Sequence, residues 1–186
     1  MSKFLKDSTL NIISNLLVVI AVQLVAFPVI NKRVESEDFA LLIVFYGIAI
    51  VVATSLGNTL NNVRLLHREG FRDSERESIF SKIFLLLLAL NFILYTIICL
   101  FYNKEISIDM FFMVMFSILL TARYYLNVYF RENLNYKNIL FVNMFVFIGY
   151  FFGIGIFVIL NKFYSMVFFM GELFGFIFLI KKSGFL

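Results

Sequence analysis

Polar residues in this chain gather in short clusters, and the stretches between the clusters are almost unbroken apolar runs. Six runs emerge, at 9–30, 39–61, 83–102, 110–129, 139–160 and 164–180. A helix rising about 1.5 Å per residue needs roughly 20 apolar residues to cross a hydrocarbon core of about 30 Å. Each run therefore predicts one transmembrane α-helix. The pattern predicts an all-α integral membrane bundle of six spans, filling a single domain over 1–186. The connections are short, the longest being 62–82, and no stretch remains for a soluble domain.

The first run follows Lys3 and Lys6, as a secretory signal would. It is longer than a signal core and ends in Pro28-Val29-Ile30-Asn31, with no small-residue cleavage pattern. It reads as a retained helix. Orientation follows from Lys and Arg, which accumulate in cytoplasmic loops. With the N-terminus inside, twelve of the sixteen face the cytoplasm: Lys3, Lys6, Arg64, Arg68, Arg72, Arg76, Lys82, Arg123, Arg131, Lys137, Lys181 and Lys182. Only Lys32, Arg33, Lys104 and Lys162 lie outside, beside Glu35, Glu37, Asp38, Glu105 and Asp109. Both termini are expected in the cytoplasm.

Composition agrees with this. The 186 residues are 62% hydrophobic and 15% charged, too little charge to clothe a soluble domain of this length. The net charge of +4 is a topology signal, so no nucleic-acid partner is expected. Cys99 is the sole cysteine and His67 the sole histidine, and neither an acidic cluster nor a Gly-rich phosphate loop accompanies them. No metal, cofactor or catalytic site is expected, and an enzyme is disfavoured.

The informative residues are polar groups inside the spans, since each is costly there and tends to face protein or a water-filled cavity. Asn11, Asn15 and Gln23 fall near one face of the first helix, with Ser8 close to it. They either bond between helices or line a cavity. The second helix ends in an amide and hydroxyl cluster, Thr54, Ser55, Asn58, Thr59, Asn61 and Asn62, suited to sugar recognition or to entry into the headgroup region. Glu172 has about eight apolar-helix residues on either side. Ionised and unpaired near mid-membrane it would cost about 3 kcal/mol or more. Arg123 lies at a comparable depth in the fourth helix and is its natural partner, either as a structural pair or as part of a charged cavity. Gly149 with Gly153, Gly155 beyond, and Gly171 with Gly175 have the small-xxx-small spacing of close helix contacts. Arg64, Arg68, Arg72 and Arg76 repeat every four residues and read as a basic face anchoring the chain at the cytoplasmic headgroups, with a lipid-linked pyrophosphate as the rival occupant.

The order of these features resembles a family. Leu5-Lys6-Asp7-Ser8-Thr9-Leu10-Asn11 leads into a helix with Gln23 and Pro28, followed by Glu37-Asp38-Phe39, a second helix and Arg64. Tyr124, Phe130-Arg131, Leu134-Asn135-Tyr136-Lys137, Asn143 and Gly149-Tyr150 follow in turn. This sequence of residues is similar to the polysaccharide flippases of the multidrug/oligosaccharidyl-lipid/polysaccharide exporter superfamily, across nearly the whole chain. The resemblance implies transport of undecaprenyl-linked sugar units across the bacterial cytoplasmic membrane, by alternating access between two lobes. The chain departs from those transporters in carrying one six-helix lobe. A homodimer, or a separately encoded second half, would supply the other.

The expectation is thus a half-size, flippase-like membrane transporter whose partners are membrane lipid and a lipid-linked sugar. Its expected working face is Asn11, Asn15, Gln23, Asn58, Arg123 and Glu172. The rival readings are a six-helix substrate-binding subunit of an energy-coupling vitamin transporter, a non-transporting scaffold or immunity protein, and a truncated flippase. The scaffold reading requires Asn11, Asn15, Gln23 and Glu172 all to be buried between helices.

Overall fold

A computed structural model describes residues 3–67, 73–103 and 107–183. Among them the chain is helical, in six rods. We label these α1 (residues 3–31), α2 (36–66), α3 (Asp73–Asn103), α4 (108–132), α5 (Tyr136–Leu160) and α6 (Met166–Ser183). The first five are long and apolar enough to cross a membrane, which marks a multi-pass membrane protein. The sixth has Glu172, Lys181 and Lys182 within its 18 residues.

The rods overrun the apolar intervals that predicted them. The 62–82 stretch, expected to be a loop, is largely helix: α2 continues to Leu66 and α3 begins at Asp73. Hydropathy detects only the part of a helix that suits hydrocarbon, whereas backbone hydrogen bonding continues under polar side chains. Two rods change pitch on the way. In α1 the turn widens to π geometry over Ile20–Ala26, directly ahead of Pro28, whose ring would strike the carbonyl four residues back and which lacks an N–H to bond it. In α2 a π-type turn covers Thr54–Asn58.

The rod α4 runs from Ile108 to Leu126, breaks at Asn127 and resumes over Val128–Glu132. It ends in a Schellman pair, with the Asn135 N–H donating to the Phe130 carbonyl and the Leu134 N–H to that of Arg131. The left-handed position of this motif, usually Gly, is Leu134 at φ 50°. A leucine there costs about 1–2 kcal/mol.

Packing runs in a chain of neighbours: α1 on α5, α5 on α6, α6 on α4, α4 on α2, and α3 against α4 and α2. Glycines permit the closest of these approaches. A Cβ at Gly149 would lie 2.5 Å from the Met170 carbonyl oxygen, and one at Gly153 would lie 2.8 Å from the Val167 Cα. Gly171 makes room for the Tyr150 ring and Gly175 for Val146, so four of the five glycines in the small-xxx-small series serve the α5–α6 contact. Gly155 meets nothing, while at Gly57, outside that series, a Cβ would lie 2.5 Å from the Thr121 carbonyl oxygen of α4. Buried Asn91 ties α3 to α4 through Ser117 and Thr121, and the Tyr95 hydroxyl donates to the Phe45 carbonyl of α2.

One apolar cluster joins Leu60 of α2, Phe84 of α3, Tyr125 of α4, Ile139 of α5 and Leu179 of α6. These residues mark a single end of the bundle, at which α1, α3 and α5 start and α2, α4 and α6 finish. The other cluster, centred on Phe45, Phe116, Tyr150 and Phe168, fills the opposite half. The rods α1 and α2 meet chiefly near their joining turn and leave a groove between them, floored by α4 and α5.

Candidate functional site: an amide-lined groove

The groove has a volume of about 460 Å³ near the end where α1 starts. Asn11 and Asn15, one helical turn apart, form one wall, and Thr54, Asn58 and Asn61 of α2 the other. The two flanks of the π-type turn in α2 thus both face the groove. Arg123, Tyr124, Asn127 and Arg131 come up from α4, and Tyr136, Ile139 and Asn143 from α5. A deeper recess of about 270 Å³ shares Asn15, Arg123, Tyr124 and Asn143 with the groove and reaches Gln23, Tyr46 and Ile50. Gln23 sits within the π-type turn of α1.

The floor is held by a hydrogen-bonded chain through four helices. Arg123 donates from Nε and Nη2 to the two carboxylate oxygens of Glu172, at 2.5 and 3.0 Å, and from Nη1 to the Asn143 Oδ1 at 2.7 Å. Asn143 Nδ2 donates to the Ser14 Oγ at 2.8 Å and its carbonyl at 3.1 Å, and Ser14 Oγ to the Ile139 carbonyl. The chain runs α6, α4, α5, α1. Bidentate pairing matches the flat guanidinium to the carboxylate and satisfies both oxygens, as a charge at this depth requires. Arg123 is 5% exposed and Glu172 1%.

Five of the six residues expected at the working face therefore line the two connected cavities: Asn11, Asn15, Gln23, Asn58 and Arg123. Glu172 lies behind Arg123 and lines neither. It sets the charge and orientation of the guanidinium from the far side. Sequence reasoning passed over Ser14, Asn127 and Arg131 as groove or network residues, and gave Asn143 no role of its own. Asn143 carried a signal, being the only amide in the 139–160 run. Ser14 carried none, because its role depends on which face of α1 meets α5.

A second cation cluster closes the same end of the bundle. Arg64, fully buried, donates from Nε to Glu132 at 3.2 Å and from Nη1 to the hydroxyl oxygens of Tyr125 and Tyr129 at 3.2 and 3.3 Å. Its guanidinium lies 4.5 Å from the Tyr129 ring centroid, and Glu77 is 3.6 Å away. Arg76 is also buried, with Nη2 3.8 Å from Glu132. The expected basic face is thus corrected at two of its four positions: Arg64 and Arg76 turn inward toward Glu132 instead of outward to headgroups. Arg68 and Arg72 lie outside the described residues. A helix reaching an interface can place its arginines inward once a carboxylate and aromatic faces are there to receive them. Beside this cluster, Asn61 Nδ2 donates to the Tyr124 carbonyl ahead of the break in α4, and its Oδ1 accepts from Arg131, as does that of Asn62.

Chemically the groove offers amide donors and acceptors, a neutralised arginine in its floor, and Arg131, which meets only amide oxygens among the described hydrogen bonds. No group of three or more metal-ligating side chains occurs among the described residues. No protein-family model, curated protein or solved structure matches this chain.

Proposed function

We propose that this chain is one lobe of a membrane transporter for lipid-linked oligosaccharide, in the manner of the polysaccharide flippases it resembles. In this reading all six rods span the bacterial cytoplasmic membrane, with both termini in the cytoplasm. The Glu172 charge that weakens α6 as a span is cancelled internally by Arg123, and Lys181 and Lys182 belong at its cytoplasmic end. The groove then opens on the cytoplasmic side. Its amides suit the hydroxyls of a sugar and Arg131 suits a phosphate, so no covalent chemistry is needed.

The observation carrying this reading is the exposure of Asn11, Asn15 and Gln23 on a membrane-spanning helix. Lipid does not tolerate such a stripe, so it belongs in a water-filled cavity closed by a second lobe. A scaffold would instead bury all three with Glu172, and only Glu172 is buried. A second copy inserted the same way up, or a separately encoded half, would cover the open side.

The test is native mass spectrometry of the protein in nanodiscs, with and without the products of genes flanking its own. A dimer, or a complex with a second six-helix protein, is expected. A strict monomer under both conditions overturns the two-lobe reading.

A further inference from the structure

Beside the groove lies a cavity of about 710 Å³, between the start of α1 and the turn joining α4 to α5. Lys6 and Lys137 supply it with two positive charges and Asp7 with one negative. The first turn of α5 opens at its edge and turns the positive end of a 25-residue helix toward it, the Asn138 N–H being capped by the Asn135 side chain. Leu10, Leu140 and Phe141 give it an apolar wall, Asn135 and Tyr136 complete the polar side, and Lys137 Nζ lies 5.8 Å over the Phe141 ring.

We propose that this cavity binds the phosphate of an anionic lipid headgroup, with the lipid chain running along Leu10, Leu140 and Phe141. Leu134 argues for a lipid over a free phosphate ion. It occupies a left-handed position that glycine would fill without strain, yet it is 56% exposed and lines this cavity. An apolar side chain held at such a position is explained by an apolar ligand. Tyr136 belongs to both cavities, so a headgroup held here sits beside the groove. The inference rests on placement in a bilayer and not on transport or on a second lobe.

The test compares lipids retained by the full chain, released from nanodiscs of phosphatidylcholine and phosphatidylglycerol, by native mass spectrometry. Wild type is expected to retain phosphatidylglycerol preferentially. The K6Q/K137Q variant should lose about 25-fold in that preference, since each lysine near a bilayer adds a factor of about five. A K181Q/K182Q variant should keep the preference, and an equal loss there would reduce the effect to general surface charge and overturn the site. L134G should raise the thermal midpoint and lower retention of the lipid, and wild-type retention would overturn the apolar half of the site. If inorganic pyrophosphate stabilises detergent-purified protein through Lys6 and Lys137, the ligand is a soluble phosphate and the lipid assignment falls. Because the readout is lipid retention, a monomeric protein that keeps the preference separates this inference from the two-lobe proposal.

Discussion

Arg123 and Arg64 are both almost fully enclosed, yet their counterions lie in different surroundings. Arg123 gives two nitrogens to one carboxylate that is itself sealed in the bundle, and the third to a buried amide. Arg64 shares its charge among Glu132, two tyrosine hydroxyls and Glu77, whose side chain is 56% exposed. The depth of the anion, more than that of the cation, decides how much the fold depends on the pair. In a sealed pair, loss of one partner strands the other without water, whereas a distributed cluster at the bundle end retains alternatives.

The sharpest way to break the comparison is E172Q. It strands Arg123 at mid-bundle and is expected to destabilise by about 3–5 kcal/mol. Cys99 is the only cysteine and is buried, so its alkylation during heating reports unfolding directly. The double variant R123M/E172M should recover most of the loss, because apolar replacement of a buried ion pair is often neutral. Equal onset of alkylation in E172Q and wild type would remove the distinction between the two arginines.

A smaller loss, about 2 kcal/mol, is expected for R64M, with E77Q within about 0.5 kcal/mol of wild type because that carboxylate is half in water. An E77Q effect as large as that of R64M would mean the cluster works as a sealed pair after all. N143A should cost about 1–2 kcal/mol by leaving Arg123 Nη1 and Ser14 short of partners. Its effect should shrink in the R123M/E172M background, where only the Ser14 contacts remain to be lost. The smallest change belongs to N15A, within about 0.5 kcal/mol, since Asn15 faces the open groove. A large loss there would place Asn15 in packed contact and close the groove.

Much of this architecture was legible from the spacing of apolar runs, because a helix that meets hydrocarbon must be apolar along its length. Counting residues from the span ends also put Arg123 and Glu172 at similar depth, and the structure brings them into contact. Rotation about the helix axes was not legible. Each residue turns the side chain by about 100°, so a single altered turn re-aims everything after it. The π-type turns at Ile20–Ala26 and Thr54–Asn58 are such alterations, and they fall where Gln23 and Asn58 reach the cavities. The inward turn of Arg64 and Arg76 escaped for a related reason, since a four-residue repeat shows a shared face without saying which way it points.

By itself the sequence determined a multi-span helical membrane protein, because apolar length and the distribution of polar clusters are one-dimensional properties that hydrocarbon thickness and hydration energies act upon directly. The tertiary structure alone decided that α1 and α2 part company, that Ser14 and Asn143 extend the Arg123–Glu172 pair to four helices, and that Lys6 comes to share a cavity with Lys137. Those outcomes depend on helix phase and on where glycines such as Gly57 and Gly153 let backbones touch, which are properties of surfaces meeting in three dimensions.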